Sequence, residues 1–164
     1  MILLRKAKEK DIAVIRAIAN DTWYDTYLHI IGEAQIKYML EKMYHEGALL
    51  SQLREGHFFL IAEENDEDLG FAGFSLADAE KHIYKLHKLY VLPDAHGKGI
   101  GKLLMNEVVN IAKAAGGKML ELNVNRNNKA ADFYQKAGFK IKETVDLDIG
   151  DGFFMNDYVM EKPI

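Results

Sequence analysis

Apolar residues along this chain recur at two spacings, every second position or every third and fourth, and the switches between them divide the 164 residues into strands and helices. Ile2 to Ala7 reads as a first strand. A helix follows from Glu9 to about Tyr27, with Ile12, Ile15, Ile18 and Ala19 on one face and Asp11 in its first turn. Gly32 punctuates the chain before a second helix, Glu33 to about His45, whose stripe is Ile36, Met39, Leu40 and Met43; a shorter helix spans Ala48 to Arg54. Methionines at this spacing suit a core. His57 to Glu63 is then a buried strand, Glu64 to Asp68 an exposed acidic turn, and Gly70 to Ala77 the antiparallel partner.

The strand His82 to Leu92 is long. Alternation places His87, Leu89 and Val91 on one face and Lys88 with Tyr90 on the other. After Pro93-Asp94-Ala95 comes His96-Gly97-Lys98-Gly99-Ile100-Gly101, then a helix to Ala115 with Leu103, Leu104, Val108, Ile111 and Ala112 facing a core. Lys118 to Val124 is a strand parallel to the previous one through that helical crossover. Asn127 or Asn128 caps the next helix, on which Ala130, Phe133, Tyr134 and Ala137 share a face, and Gly138 ends it. A hairpin closes the chain: Phe139 to Leu147, a turn at Asp148 to Gly152, and Phe153 to Met160. The sum is seven strands and their helices in one α/β domain over residues 1–164.

The glycine-rich turn is the first place where chemistry shows. Glycines let the backbone turn sharply and bring its N–H groups against a ligand, and the helix start adds free donors and the positive end of a dipole. Such an element holds an anion, phosphate above all, and Lys98 and Lys102 add charge there. The spacing fits neither nucleotide motif. A dinucleotide loop wants glycine where Lys102 stands, and a Walker A loop wants Ser or Thr after Gly101-Lys102, where Leu103 stands.

Val91-Leu92-Pro93 with His96-Gly97-Lys98-Gly99-Ile100-Gly101 resembles the signature of the GNAT superfamily of acyl-CoA-dependent N-acyltransferases, with His96 where the family usually has Gln or Arg. Asn127-x-x-Ala130-x-x-x-Tyr134-x-x-x-Gly138-Phe139 resembles its second motif. The resemblance covers about the last half of the chain. It implies a mixed, twisted sheet with a splayed parallel strand pair, acetyl-CoA as donor, and donor contacts at Leu89, Tyr90, Val91, His96, Gly97, Lys98, Gly99, Ile100, Gly101, Lys102, Asn127 and Tyr134. It also implies that Tyr134 protonates the departing thiolate, which a phenol of pKa about 10 can do; by spacing alone Tyr134 reads as a core aromatic.

The family often places a glutamate base on the strand before the loop. Here His87 and Lys85 are offered, and His87 suits, since an imidazole of pKa about 6.5 accepts a proton at neutral pH. A plain structural histidine is the other reading. The resemblance implies an acceptor wall at the first helix, with Trp23, Tyr24, Asp25 and Tyr27 lining it for a cationic amine; Trp23 and Tyr27 read equally as core. With Met155-Asn156-Asp157-Tyr158, this segment resembles a bacterial branch that includes polyamine (spermidine/spermine) N-acetyltransferases, in which Asp157 meets the amine unless it is an ordinary strand carboxylate.

Composition narrows the partners. A net charge of −4 and a pI near 5.9 argue against nucleic acid or an anionic membrane as the main partner. With no cysteine there is no disulfide, thiol nucleophile or thiolate metal site, and no metal is expected. The charges at the N-terminus follow its short apolar run and no 18-residue apolar stretch exists, which points to the cytoplasm. Dimers are common in the family, and the Met and aromatic residues of the last strand suit an interface. The expectation is transfer of acetyl to a primary amine of a small molecule; the rivals are a protein or peptide N-acetyltransferase and a non-catalytic acyl-CoA-binding module.

Overall fold

The computed structural model describes residues 1–164. Seven strands form one sheet in the order β1-β2-β3-β4-β5-β7-β6, where β1 is Leu3–Lys6, β2 Phe58–Glu64, β3 Glu67–Asp78, β4 Ile83–Val91, β5 Met119–Asn125, β6 Lys140–Gly150 and β7 Phe153–Pro163. Every neighbouring pair is antiparallel except β4 with β5, which the crossover helix α3 (Ile100–Ala114) makes parallel. Each face of the sheet carries its own core. On one face α3 lays Leu104, Met105 and Val108 against Leu60, Phe74, Leu86, Leu120, Leu122 and Met160. On the other, α1 (Ile12–Tyr44) and α2 (Glu46–Arg54) lay Ile15, Ile18, Trp23, Ile36, Met39 and Leu49 against Phe59, Ile61 and Phe71.

The two helices expected before residue 46 are one run of helix broken at Gly32, whose φ of 80° and ψ of 165° interrupt it; Glu9–Asp11 is a separate 3-10 turn. The break is where the sequence puts its glycine, because only a residue without Cβ holds that φ at little cost. The acidic turn is a two-residue connection with positive φ at both Asn65 and Asp66, a geometry whose twist matches that of the flanking strands.

β4 departs from the simple alternation. Gly73 of β3 lies opposite Lys88 and Phe74 opposite Leu86, so His87 is an extra residue in a bulge. Leu86, Leu89 and Val91 face α3, while Lys88 and Tyr90 pack on the α1 side, where His87 stacks on His57 just after α2. His87 therefore does not share a face with Leu89 and Val91, as strict alternation required. The same bulge marks where β4 leaves β5: their pairing runs only from Ile83 with Met119 to Leu86 with Leu122.

The β6–β7 hairpin continues past the end of β5 and closes over the second half of α1. Gln35 Nε2 donates to the Phe154 carbonyl at 2.7 Å, and the Ile149 carbonyl accepts from Tyr38 Oη at 2.7 Å and Lys42 Nζ at 2.8 Å. The Met and aromatic residues of β7, expected at an interface between copies, are divided between the core and the surface. Met160 is fully buried and Met155 packs under α1, leaving Phe154 46% exposed. No helix is long and apolar enough to cross a membrane.

Lys88 is a charge that this architecture buries at a cost. It is 5% exposed, its Nζ donates to Gln52 Oε1 at 2.8 Å and lies over the rings of Tyr44 and Phe59, and no carboxylate pairs with it. Burial pulls its pKa down to about 8. A lysine depressed in the folded state costs stability wherever it is charged, so that cost is full below pH 8 and lifts as pH rises towards the unfolded value. Lys88→Met is expected to raise stability at pH 7 by up to about 3 kcal/mol and to change it little near pH 10.5, as denaturant melts at the two pH values would show.

Candidate active site

The donor side is built where β4 ends. The Leu92 N–H donates to the Leu69 carbonyl of β3 at 2.8 Å. By the two-residue repeat of a strand, Leu89 and Val91 turn their N–H groups the other way, into the gap that β5 has left. Tyr90 sends its ring to the α1 side. Beyond the short turn Pro93–Ala95, His96 Nε2 donates to the Val91 carbonyl at 2.9 Å and ties the loop back to the strand.

Gly97 and Gly99 hold φ of 87° and 75°, with no atom within 4 Å of where a Cβ would stand. Gly99 is the N-cap of α3, so the free N–H groups of the helix start face open space across a bare backbone. Ile100 and Leu104, 1% and 0% exposed, root this turn in the core. The arrangement fits a pyrophosphate. Lys102 is exposed on the first turn of the helix. Lys98, expected to add its charge to the cradle, pairs with Glu64 Oε1 at 3.0 Å. Gly101 is half-buried against Phe133 of α4 (Ala130–Lys136). Gly99→Ala should cost about 1 kcal/mol of stability from the left-handed φ alone and raise the KM for acetyl-CoA, which a melt and a saturation curve would separate.

Across the gap lies a cluster of phenols. Trp23 and Tyr27 of α1 are 2% and 8% exposed with ring centroids 4.6 Å apart, and the Tyr90 ring lies tilted at 6.0 Å from Trp23. Tyr27 Oη is 3.4 Å from Tyr90 Oη and accepts from Asn128 Nδ2 at 3.2 Å. Tyr134, 8% exposed on α4, sits edge-on to Phe133 and Phe139. Burial, reinforced by Tyr27, pushes its phenol above the ordinary value, and burial does the same to Tyr90. Tyr134 thus stays protonated throughout the neutral range.

Asp157 of β7 is 1% exposed, and its Oδ1 has no hydrogen-bond partner. Burial raises its pKa, against the opposing influence of Asn123, Lys85 and Arg126; its charge also reaches Tyr27. Trp23, Tyr27 and Tyr90 therefore pack together on the α1 face, within reach of the Asp157 charge, while Tyr134 belongs to the core on the α3 face and is close enough for Tyr27 to act on its phenol. Tyr24 and Asp25 are not part of this cluster. Asp25 is exposed, and half-buried Tyr24 lines an open cleft with Arg16, Asp21, Lys37 and Glu41 between the two halves of α1. At 100° per residue, Asp25 points away from Trp23 and Tyr27, so the aromatic-acidic wall is split.

Two further expectations change. His87 Nε2 lies 2.7 Å from Ser75 Oγ and its ring stacks on His57 at 4.7 Å. Burial, with His57, Lys88 and Lys85 adding repulsion, takes its pKa down to about 3. The near-neutral imidazole on which its role as base rested is absent, and His87 is a neutral hydrogen-bonding group. Asn127 is exposed and gives only its N–H, to Asn125 Oδ1 at 2.9 Å, whereas the side chain that satisfies the first N–H of α4 is that of Asn128, two residues before the helix, whose Oδ1 accepts from Ala130 N at 3.0 Å. The link from Asn128 to Tyr27 was missed because it joins residues 101 positions apart.

Residues 55–141 match the family described as acetyltransferase (GNAT) domain. The spermidine N(1)-acetyltransferase of Thermoplasma acidophilum is 30% identical over 167 residues, covering 98% of this chain and 96% of the relative. An uncharacterized N-acetyltransferase of Methanocaldococcus jannaschii is 35% identical over 97 residues, 56% of this chain, and the match spans less than half of that relative, 43%. Among solved structures, the PaiA N-acetyltransferase of Thermoplasma acidophilum in complex with coenzyme A superposes with a TM-score of 0.85 at 28% identity, covering 100% of this chain and 99% of that one. A GCN5-related N-acetyltransferase from Rhodopseudomonas palustris gives 0.79 at 25% identity, over 99% and 95%. With its parallel strand gap, glycine cradle and these likenesses, the chain belongs to the GNAT family of acetyl-CoA-dependent N-acetyltransferases.

Proposed function

We propose that the protein acetylates a primary amine of a small cationic molecule, with a polyamine as the first candidate. The observation that carries this reading is Asp157, a buried carboxylate with one oxygen unpartnered beside the phenols of the gap. A buried charge needs a counter-ion, and an ammonium group entering from the acceptor side supplies one. The Thermoplasma acidophilum relative, named for spermidine, supports the polyamine as that amine.

Acetyl-CoA, when bound, supplies the acetyl group as a thioester. The backbone of Gly97, Gly99 and the first turn of α3 would hold its pyrophosphate, and the N–H groups of Leu89 and Val91 would polarise the carbonyl. The amine nitrogen bonds to the carbonyl carbon in a ternary complex, the carbon–sulfur bond breaks, and Tyr134 passes its proton to the thiolate. The proton released by the acylated amine restores the phenol. Because His87 is a very weak base, the reacting amine reaches the gap already neutral, having lost its proton to solvent, while a second ammonium group of the same molecule pairs with Asp157.

Thiol release from acetyl-CoA with a panel of polyamines, amino acids, aminoglycosides and an N-terminal peptide tests this. Turnover with spermidine or spermine above the no-acceptor rate is the expected result. Turnover confined to the amino acids or the peptide would overturn the polyamine reading and keep the transferase.

A further inference from the structure

Helix α4, only seven residues long, carries Tyr134, and side chains outside it tie both its ends. At its C-terminal end Lys162 Nζ donates to the Ala137 carbonyl at 2.6 Å. At its N-terminal end the acceptor is Asn128 Oδ1, which takes the Ala130 N–H at 3.0 Å. That contact fixes the orientation of the amide, since only the oxygen can accept. Its nitrogen is then presented to α1 and donates to Tyr27 Oη at 3.2 Å, and Tyr27 Oη lies 3.4 Å from Tyr90 Oη on β4. One side chain thus joins the helix of the acid, the acceptor wall and the strand beside the donor gap.

We infer that Asn128 is a positioning residue for acetyl transfer: its amide caps α4 through one atom and grips Tyr27 through the other, holding Tyr134 and the acceptor wall in fixed register. A serine caps a helix equally well, but its short hydroxyl, engaged by the Ala130 N–H, does not reach Tyr27. Asn128→Ser therefore separates the two jobs. The inference rests on the amine-acetylation reading above, and its test has a readout that needs no acceptor.

In N128S, kcat for thiol release is expected to fall roughly tenfold while the KM for acetyl-CoA stays within about twofold, because a small misplacement of reacting groups lowers rate without touching the pyrophosphate cradle. Y27F should lose a comparable factor, and the N128S/Y27F double variant should lose no more than either single one. The same cycle read by thermal melting of the unliganded protein should show the two substitutions coupled. Wild-type kcat in N128S, losses that multiply in the double variant, or additive shifts in melting would each overturn the inference. A failure of Tyr134 as the acid shows separately: Y134F would then keep full turnover, and N128S would still lower kcat in that background.

Discussion

Tyr134→Phe is expected to lower kcat about 100-fold or more and to leave the KM for acetyl-CoA nearly unchanged, since a positioned general acid contributes a factor of that order. The substitution removes one oxygen and keeps the ring that packs edge-on to Phe133 and Phe139, so the core around α4 is preserved. The phenol is buried and its pKa is raised by that burial, first of all, and by Tyr27. The phenol therefore keeps its proton throughout the neutral range, and passing it to the thiolate is coupled to its return from the acylated amine. A raised value also means that Tyr134 contributes no ionisation to the rate profile in the neutral range. Steady-state thiol release measured across pH, with acetyl-CoA affinity measured in parallel, decides the matter. Full turnover in Tyr134→Phe at every pH would remove the acid role.

Local features of the site were readable because the residues that cause them are neighbours in the chain. Gly97 and Gly99 take left-handed φ at the start of a helix, and the sequence places them next to the apolar residues, Ile100 and Leu104, that root that helix. Gly32 announced the break in α1 for the same reason. What sequence could not supply depends on partners far along the chain. The bulge at His87 arises from how β4 meets Gly73 and Phe74 of β3, and alternation alone has no means of placing an extra residue. That single insertion moved His87 onto His57 and Ser75 and turned an ordinary imidazole into a very weak base. The choice between Asn127 and Asn128 was similarly undecidable from spacing, since both stand within one turn of the helix start. Trp23 and Tyr27 share a helical face by period, but only the packing of Tyr90 and Asn128 against them makes that face part of a site.

Asp157→Asn is expected to raise thermal stability at neutral pH and to lower kcat/KM for a cationic acceptor by about 10- to 100-fold, the loss of one hydrogen bond to a charged group. Both effects follow from the same burial. The carboxylate lies 1% exposed with Oδ1 unpartnered, and desolvation raises its pKa in the folded protein. A carboxylate raised on folding binds its proton more readily in the native than in the unfolded state, so stability falls as pH rises through that interval. Above it the full cost of the buried charge is present. Asparagine carries no such cost, and the stability gained by Asp157→Asn should shrink as pH falls back towards the ordinary carboxylate range. An ammonium group seated against Asp157 offsets the same cost on binding, which is how a destabilising residue becomes a means of selecting a cationic amine. Melting curves over pH and saturation curves for acceptor and acetyl-CoA separate the possibilities. A variant that melts lower at neutral pH and keeps its acceptor kcat/KM would show Asp157 to be a structural carboxylate, and the cationic-amine reading would lose its main support.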